Sequence, residues 1–258
     1  MTNVVLVTGG SAGIGSAVVE ALVERGYDVG FTYRAREREA RRICNRAGTR
    51  VEAVHADFAA PEAAAAAVHE LAARFGGAIY GLVNNAGVNR RALLADIDRA
   101  GLVELLNVNL VAPLLAAQAA VGHMPVGGRI VNITSILDRE PLHGAAAYCA
   151  SKAGLALASK VLALELAERG ITVNCVAPGH TATPMNFGDR KVDAHSTTRS
   201  AIPAGRPATA HEIAAAVAYF LSDDAAYTTG ARLLVDGGLA LNSGPLSLET
   251  SPEFLENA

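Results

Sequence analysis

The chain has 258 residues, is 51% hydrophobic, and carries a formal net charge of −3 with both signs spread along its length. That is enough apolar material for a large core, and α/β chains of this size often form one domain, so a single unit over 1–258 is expected. With no basic block, and no stretch reaching the ~18 uninterrupted apolar residues of a membrane span, neither nucleic acid nor a membrane is an expected partner.

Residues 1–3 lead straight into apolar sequence without a basic leader, so no signal peptide is expected. Val4-Val5-Leu6-Val7-Thr8 reads as a buried strand. It ends in Gly9-Gly10-Ser11-Ala12-Gly13-Ile14-Gly15, and a helix is predicted over 16–25. Strand, glycine turn and helix are what a pyrophosphate needs: close backbone approach, then free N–H groups at the positive end of a helix dipole. A plain tight turn is the alternative. The loop lacks the Gly-Lys-Ser/Thr ending of a triphosphate site, and its Thr8-Gly9-x-x-x-Gly13-x-Gly15 spacing differs from G-x-G-x-x-G.

A second strand over 28–34 ends in Tyr33-Arg34-Ala35-Arg36, with no acid until Glu37. An NAD site places an acid here for the ribose 2′-hydroxyl, and an NADP site an arginine for the 2′-phosphate. Arg34 therefore points to NADP(H), although Ser11 and Ala12 offer no second basic contact. Both arginines could instead be exposed helix-start charges.

The third strand, 51–57, runs to Asp57, placed either to hold an adenine amino group or to cap the helix predicted over 63–75. A fourth strand over 79–83 ends in Asn84-Asn85-Ala86-Gly87, where buried asparagines can tie neighbouring strands together. One long helix over 99–122 contains Asn109, and a fifth strand over 129–135 ends at Ser135. The next helix, closed by Gly170, carries Tyr148 and Lys152; a sixth strand over 171–176 leaves through Pro178-Gly179. Residues 186–202 are polar, aperiodic and too long for an ordinary connection, as lids often are. A helix over 211–223, a last strand over 231–235 and an extended tail over 242–258 complete the chain.

Seven strands alternating with helices specify an α/β, doubly wound, Rossmann-type parallel sheet covered on both faces. Ligands of such sheets bind beyond the carboxyl ends of the strands, where Gly9, Arg34, Asp57, Asn85, Ser135 and Pro178 all fall. Tyr148 and Lys152, four apart, share one helix face. A free tyrosine has a pKa of about 10, and a neighbouring ammonium favours the phenolate and lowers that value. With a serine hydroxyl at the same point, the set can move a proton on or off a carbonyl or alcohol oxygen. The same spacing also occurs on surface helices with a solvated lysine. Cys44, Cys149 and Cys175 are odd in number and lack metal-ligand spacing, which fits a reduced, cytoplasmic protein with no metal site.

Taken together, the glycine loop, Asn84-Asn85-Ala86-Gly87, Asn109, Ser135, Tyr148-x-x-x-Lys152 and Pro178-Gly179 resemble the short-chain dehydrogenase/reductase family over about 4–238. The resemblance implies that Tyr148 is the general acid/base. Lys152 would lower its pKa and bind the nicotinamide ribose, Ser135 would orient the substrate oxygen, and Asn109 would hold a water in a proton relay through Lys152. It maps Gly9, Ser11, Ile14 and Asn85 onto cofactor contacts, with Gly13, Gly15, Ala86, Gly87, Pro178 and Gly179 in the same motifs. Thr183 aligns with a threonine that touches the carboxamide, and Arg34 with the 2′-phosphate contact. NADP(H) is thus the preferred cofactor and NAD(H) the alternative.

The substrate expected by resemblance is a 3-oxoacyl thioester or related ketone. The alternatives are a sugar or polyol, as in glucose-dehydrogenase-like members, and the ketone of a biosynthetic tailoring step. A non-catalytic NADP(H) sensor is the alternative of another class. Arg169 resembles one contact for acyl carrier protein, but Met124-Pro125-Val126 replaces the basic residue expected before Gly127, which counts against that partner. Asp138, Arg139 and His143 either add polar character to the pocket or lie on a surface loop. A homotetramer is the implied assembly.

Overall fold

The computed structural model describes residues 3–46, 50–188, 192–197 and 199–241. The predicted tail over 242–258 lies outside them, as do 189–191 and 198 of the predicted lid.

The strands are β1 (Val4–Val7), β2 (Asp28–Tyr33), β3 (Val51–His55), β4 (Gly81–Asn84), β5 (Arg129–Ile133), β6 (Thr172–Pro178) and β7 (Arg232–Val235). They form one parallel sheet in the order β3-β2-β1-β4-β5-β6-β7. The uninterrupted apolar run of β1 follows from burial on both faces. Val4 and Leu6 join one core cluster with Leu82 and Ile130, while Val5 and Val7 join another with Val83 and Val131. The first cluster is covered by α3 (Glu62–Arg74), α5 (Ala112–Val121) and part of α6 (Ala146–Leu166). The second is covered by α1 (Gly13–Glu24) and α8 (Ala210–Leu221). Each large apolar side chain so buried contributes about 1.5–3 kcal/mol. The chain runs outward from β1 through β2 to β3, then returns across to β4, so the strand order reverses between β1 and β4. That switch point is where a doubly wound sheet opens a crevice.

Residues 37–46, which carry no strand signal, form the charged helix α2 (Glu37–Arg46). The single helix predicted over 99–122 is interrupted. It begins as α4 (Arg99–Leu106), passes through a π turn over Asn107–Val111, and resumes as α5. The physical cause is Pro113, which has no N–H to give the Asn109 carbonyl four residues earlier and whose ring crowds that turn. The segments Arg99–Val121 and Ala146–Arg169 are long and apolar enough to cross a membrane by length and composition. Both pack into the core, through Ala112, Ala116 and Ala120 on one and Leu155 and Ala163 on the other. Within 186–202, α7 (Pro184–Phe187) runs in from the amino-terminal side, and Ile202 is buried beside Tyr148, Leu105 and Leu239.

Candidate active site

A cleft of about 380 Å³ opens at the carboxyl ends of the strands. It is lined by Gly9, Ser11, Gly13, Ile14, Arg34, Asp57, Asn85, Ala86, Gly87, Ser135, Tyr148, Lys152, Pro178, Gly179 and Thr183. Of the residues singled out in the sequence, Gly15 and Asn109 stand behind the lining.

The glycine loop is held by packing that excludes side chains. Gly9 N–H donates to Thr32 Oγ1 at 3.0 Å, and Gly10 N–H to the Thr32 carbonyl at 2.9 Å. A Cβ on Gly15 would lie 2.1 Å from the Gly9 carbonyl oxygen. Gly9 and Gly13 have φ of +69° and +56°, the left-handed region that glycine enters without steric cost. Ala12, the N-cap of α1, makes no side-chain cap, and the first turn holds no acid. The first N–H groups of α1 and the positive end of its dipole therefore face the cleft, which fits a pyrophosphate. Thr183 stands across from the loop, its Cβ 3.4 Å from a Cβ built on Gly13.

Asn85 fixes the loop from the end of β4. Its Nδ2 donates to the carbonyls of Thr8 (2.9 Å) and Gly9 (3.2 Å), and its backbone N–H to Thr8 Oγ1 at 2.9 Å. Asn84 reaches the other way, its Nδ2 donating to Asn132 Oδ1 at 2.9 Å and the Pro113 carbonyl at 3.1 Å. At the far end of the cleft, Arg34 is exposed and Arg36 half-buried beyond β2. Asp57 does not cap α3, whose N-cap is Pro61; its Oδ1 accepts from Ala59 N–H at 3.0 Å, closing a local turn.

The catalytic-type residues converge on α6. Tyr148, Lys152, Leu155, Ser159 and Ala163 form its buried face. The Ser135 side chain stands beside Tyr148, close enough to act against the rise in its pKa. Lys152 Nζ donates to the Ile133 carbonyl at 3.0 Å and lies 5.8 Å from the Tyr148 ring centroid. Asn109 is fully buried in the π turn. Its side chain is committed to structure: Oδ1 accepts from Val88 N–H at 2.8 Å, and Nδ2 donates to the Val88 carbonyl (2.9 Å) and Ser151 Oγ (3.2 Å). The Asn109 backbone carbonyl cannot receive the usual helical bond from four residues on, because residue 113 is proline.

One electrostatic expectation is reversed. Spacing alone has Lys152 depressing the Tyr148 pKa. Burial instead pushes Tyr148 up to about 12, against the lowering effect of the Ser135 side chain, with Cys149 and Asp138 adding to the rise. Burial also pushes Lys152 down to about 8, opposed by Cys175 and Asp138. Each group loses water, and at this separation desolvation outweighs their mutual effect.

Asp138 is neither a pocket nor a surface residue. Its side chain is fully buried, and its oxygens accept from Arg232 Nε on β7 at 2.9 and 3.0 Å. Arg232 also donates to the Ser135 carbonyl at 3.4 Å, so the pair pins the turn after β5 to the sheet edge. The sequence reading misses Arg91, His180 and Leu239, which also line the cleft, together with Leu142 of the loop after Ser135 and Met185. His180 directly follows Pro178-Gly179, a placement that could have flagged it; nothing in the sequence flags Arg91.

The fold and this constellation define an α/β oxidoreductase of the dinucleotide-binding type. A family profile described as enoyl-(acyl carrier protein) reductase matches residues 9–240. The 3-oxoacyl-[acyl-carrier-protein] reductase FabG of Salmonella typhimurium is 38% identical over 239 residues, covering 92% of this chain and 97% of its own. The crystal structure of acetoin dehydrogenase YohF from Salmonella typhimurium is 40% identical with a TM-score of 0.86, covering 95% and 98% of the two chains. A short-chain dehydrogenase from Burkholderia cenocepacia, crystallised with NADP, is likewise 40% identical, with a TM-score of 0.85 over 92% and 97%. This chain belongs to the short-chain dehydrogenase/reductase family and is an oxidoreductase acting on a carbonyl or alcohol.

Proposed function

We propose that the protein is an NADP(H)-dependent ketone reductase whose substrate is a 3-oxoacyl thioester or a related free ketone. The observation that carries this reading is the placement of Tyr148 and Ser135 together on the cleft wall, with Lys152 buried beside them. When bound, NADP(H) supplies the hydride. Arg34 and Arg36 would hold the 2′-phosphate, the α1 N-terminus the pyrophosphate, and Thr183 the carboxamide. Ser135 would hold the substrate oxygen while the Tyr148 hydroxyl gives it a proton.

A Tyr148 pKa of about 12 suits that direction, because the group stays protonated at neutral pH. As the proton leaves, a phenolate forms near the Lys152 ammonium. At 5.8 Å and an effective dielectric near 20, their attraction is worth on the order of 3 kcal/mol. The lysine then acts on the transition state more than on the resting tyrosine. The Asn109 carbonyl would hold a water that returns the proton through Lys152. Residues 186–202 would close over the substrate. Relatives named as acetoin dehydrogenases support the free-ketone form, and the FabG relatives the thioester form.

The test is a screen that follows NADPH absorbance over ketones, 3-oxoacyl thioesters and sugars, with Tyr148→Phe as control. Removing the proton donor should cost about 10²–10⁴ in kcat and leave NADPH affinity within a few-fold. Wild-type turnover by Tyr148→Phe overturns the assignment, and NADPH binding without any turnover favours a sensor.

A further inference from the structure

We propose that the substrate carries a carboxylate, held by Arg91 and His180 while its carbonyl meets Ser135 and Tyr148; this rests on the reductase reading above.

The charge along the cleft is lopsided. Among the described residues that line it, the only carboxylate is Asp57, beyond β3 at the cofactor end. The cationic groups of that end have an evident task in the cofactor phosphates. Arg91 does not. Ala92 N–H donates to the Gly144 carbonyl at 2.9 Å, four residues ahead of Tyr148, and this sets Arg91 beside the loop that leads into α6. Its neighbour Arg90 turns outward to Glu104 at 3.4 Å. The Arg91 guanidinium lines the cleft and has no hydrogen-bond or ion-pair partner among the described residues.

His180 supplies the second, independent observation. It lines the cleft just beyond β6, and its Nδ1 is buried without a partner among the described residues. Its ring stacks on Phe187 with centroids 5.1 Å apart, and the Arg199 guanidinium lies 5.4 Å from the Phe187 centroid. Burial and the two guanidiniums, Arg199 and Arg91, push the imidazole down to about 4, so it stays neutral and can still hydrogen-bond. A buried ring nitrogen left unpaired is costly, and a small turn of the ring on substrate binding would bring it to a substrate oxygen or N–H. A carboxylate suits both groups, since an arginine fork binds it with two parallel charge-assisted bonds. Leu142, Met185 and Leu239 provide apolar wall between this end and Tyr148, which suits a short carbon chain.

The experiment compares acids with their own methyl esters: 2-oxobutanoate, acetoacetate and levulinate, each against its ester, with NADPH and diacetyl as an uncharged reference. At least one acid should exceed its ester tenfold in kcat/KM, and the ratio should shrink as salt is raised. Arg91→Ala should lower that ratio at least tenfold, and Arg91→Lys should keep part of it. An NADPH titration of each variant reports whether it is folded. Esters equal to or better than acids throughout, with diacetyl reduced, overturn the carboxylate site and leave the reductase standing. Failure of acids, esters and diacetyl alike overturns the carboxylate site, and failure of 3-oxoacyl thioesters as well overturns the reductase reading.

Discussion

Burial moves the pKa values of Tyr148 and Lys152 apart, to about 12 and about 8. The sign of the resulting pH dependence follows directly. In the proposed mechanism reduction needs a protonated Tyr148, a condition met at every pH well below 12. The group lost first as pH rises is the Lys152 ammonium. Reductive kcat/KM should therefore stay level between about pH 6 and 7 and fall through about 8. A profile that stays level to pH 10 would contradict this. The same shift bears on folding: an unfolded lysine titrates near 10.4, so the folded chain holds fewer protons between about 8 and that value. Lys152 thus favours the fold above the unfolded pKa, and that contribution is lost as pH falls through about 8. None of this is legible in a Tyr-x-x-x-Lys spacing, which reports a shared helix face and says nothing about how much water each group keeps.

At the level of elements, strands and helices were the legible part. Apolar runs of strand length stop at glycine or asparagine, and alanine-rich helices lie between them. The π turn was not, because a helical period tolerates one extra residue without losing its apolar face, although Pro113 is its visible cause. The Asp138–Arg232 pair was also hidden, since its partners are 94 residues apart in sequence. Its energetics can be tested. Arg232→Met leaves a fully buried carboxylate unpaired and should destabilise the protein by about 3–5 kcal/mol. Asp138→Asn with Arg232→Met should recover part of that loss. Urea midpoints of the wild type and the two variants check both, and a single variant costing no more than the double refutes the pairing argument. Because Arg232 also holds the Ser135 carbonyl, the single variant should lose kcat as well.

For the whole molecule, α6 shows two faces to two environments. Its inner face buries Tyr148 and Lys152, while Leu157, Val161 and Leu164, at four- and three-residue spacing, stay 65%, 47% and 79% exposed. Exposed apolar stripes of this kind mark association surfaces. We expect a homotetramer, four times the 26.5 kDa chain, by sedimentation, and a lighter species for Leu164→Arg. A tetramer unchanged by that charge would place the contact elsewhere.

The strand order has one more consequence, for how this protein could be redesigned. β1 stands between β2, which presents Arg34, and β4, which leads to Arg91, and two interstrand spacings amount to about 10 Å. On the proposed roles of Arg34 and Arg91, coenzyme choice and substrate choice fall on separate parts of the sheet. Arg34→Asp should lower the NADPH-over-NADH ratio of kcat/KM at least tenfold with any substrate. Combined with Arg91→Ala, the logarithms of the two effects should add to within about 0.5 kcal/mol. Steady-state kinetics of the double variant would reveal any coupling. Without coupling, a library at one end can be screened with the other end left as it is.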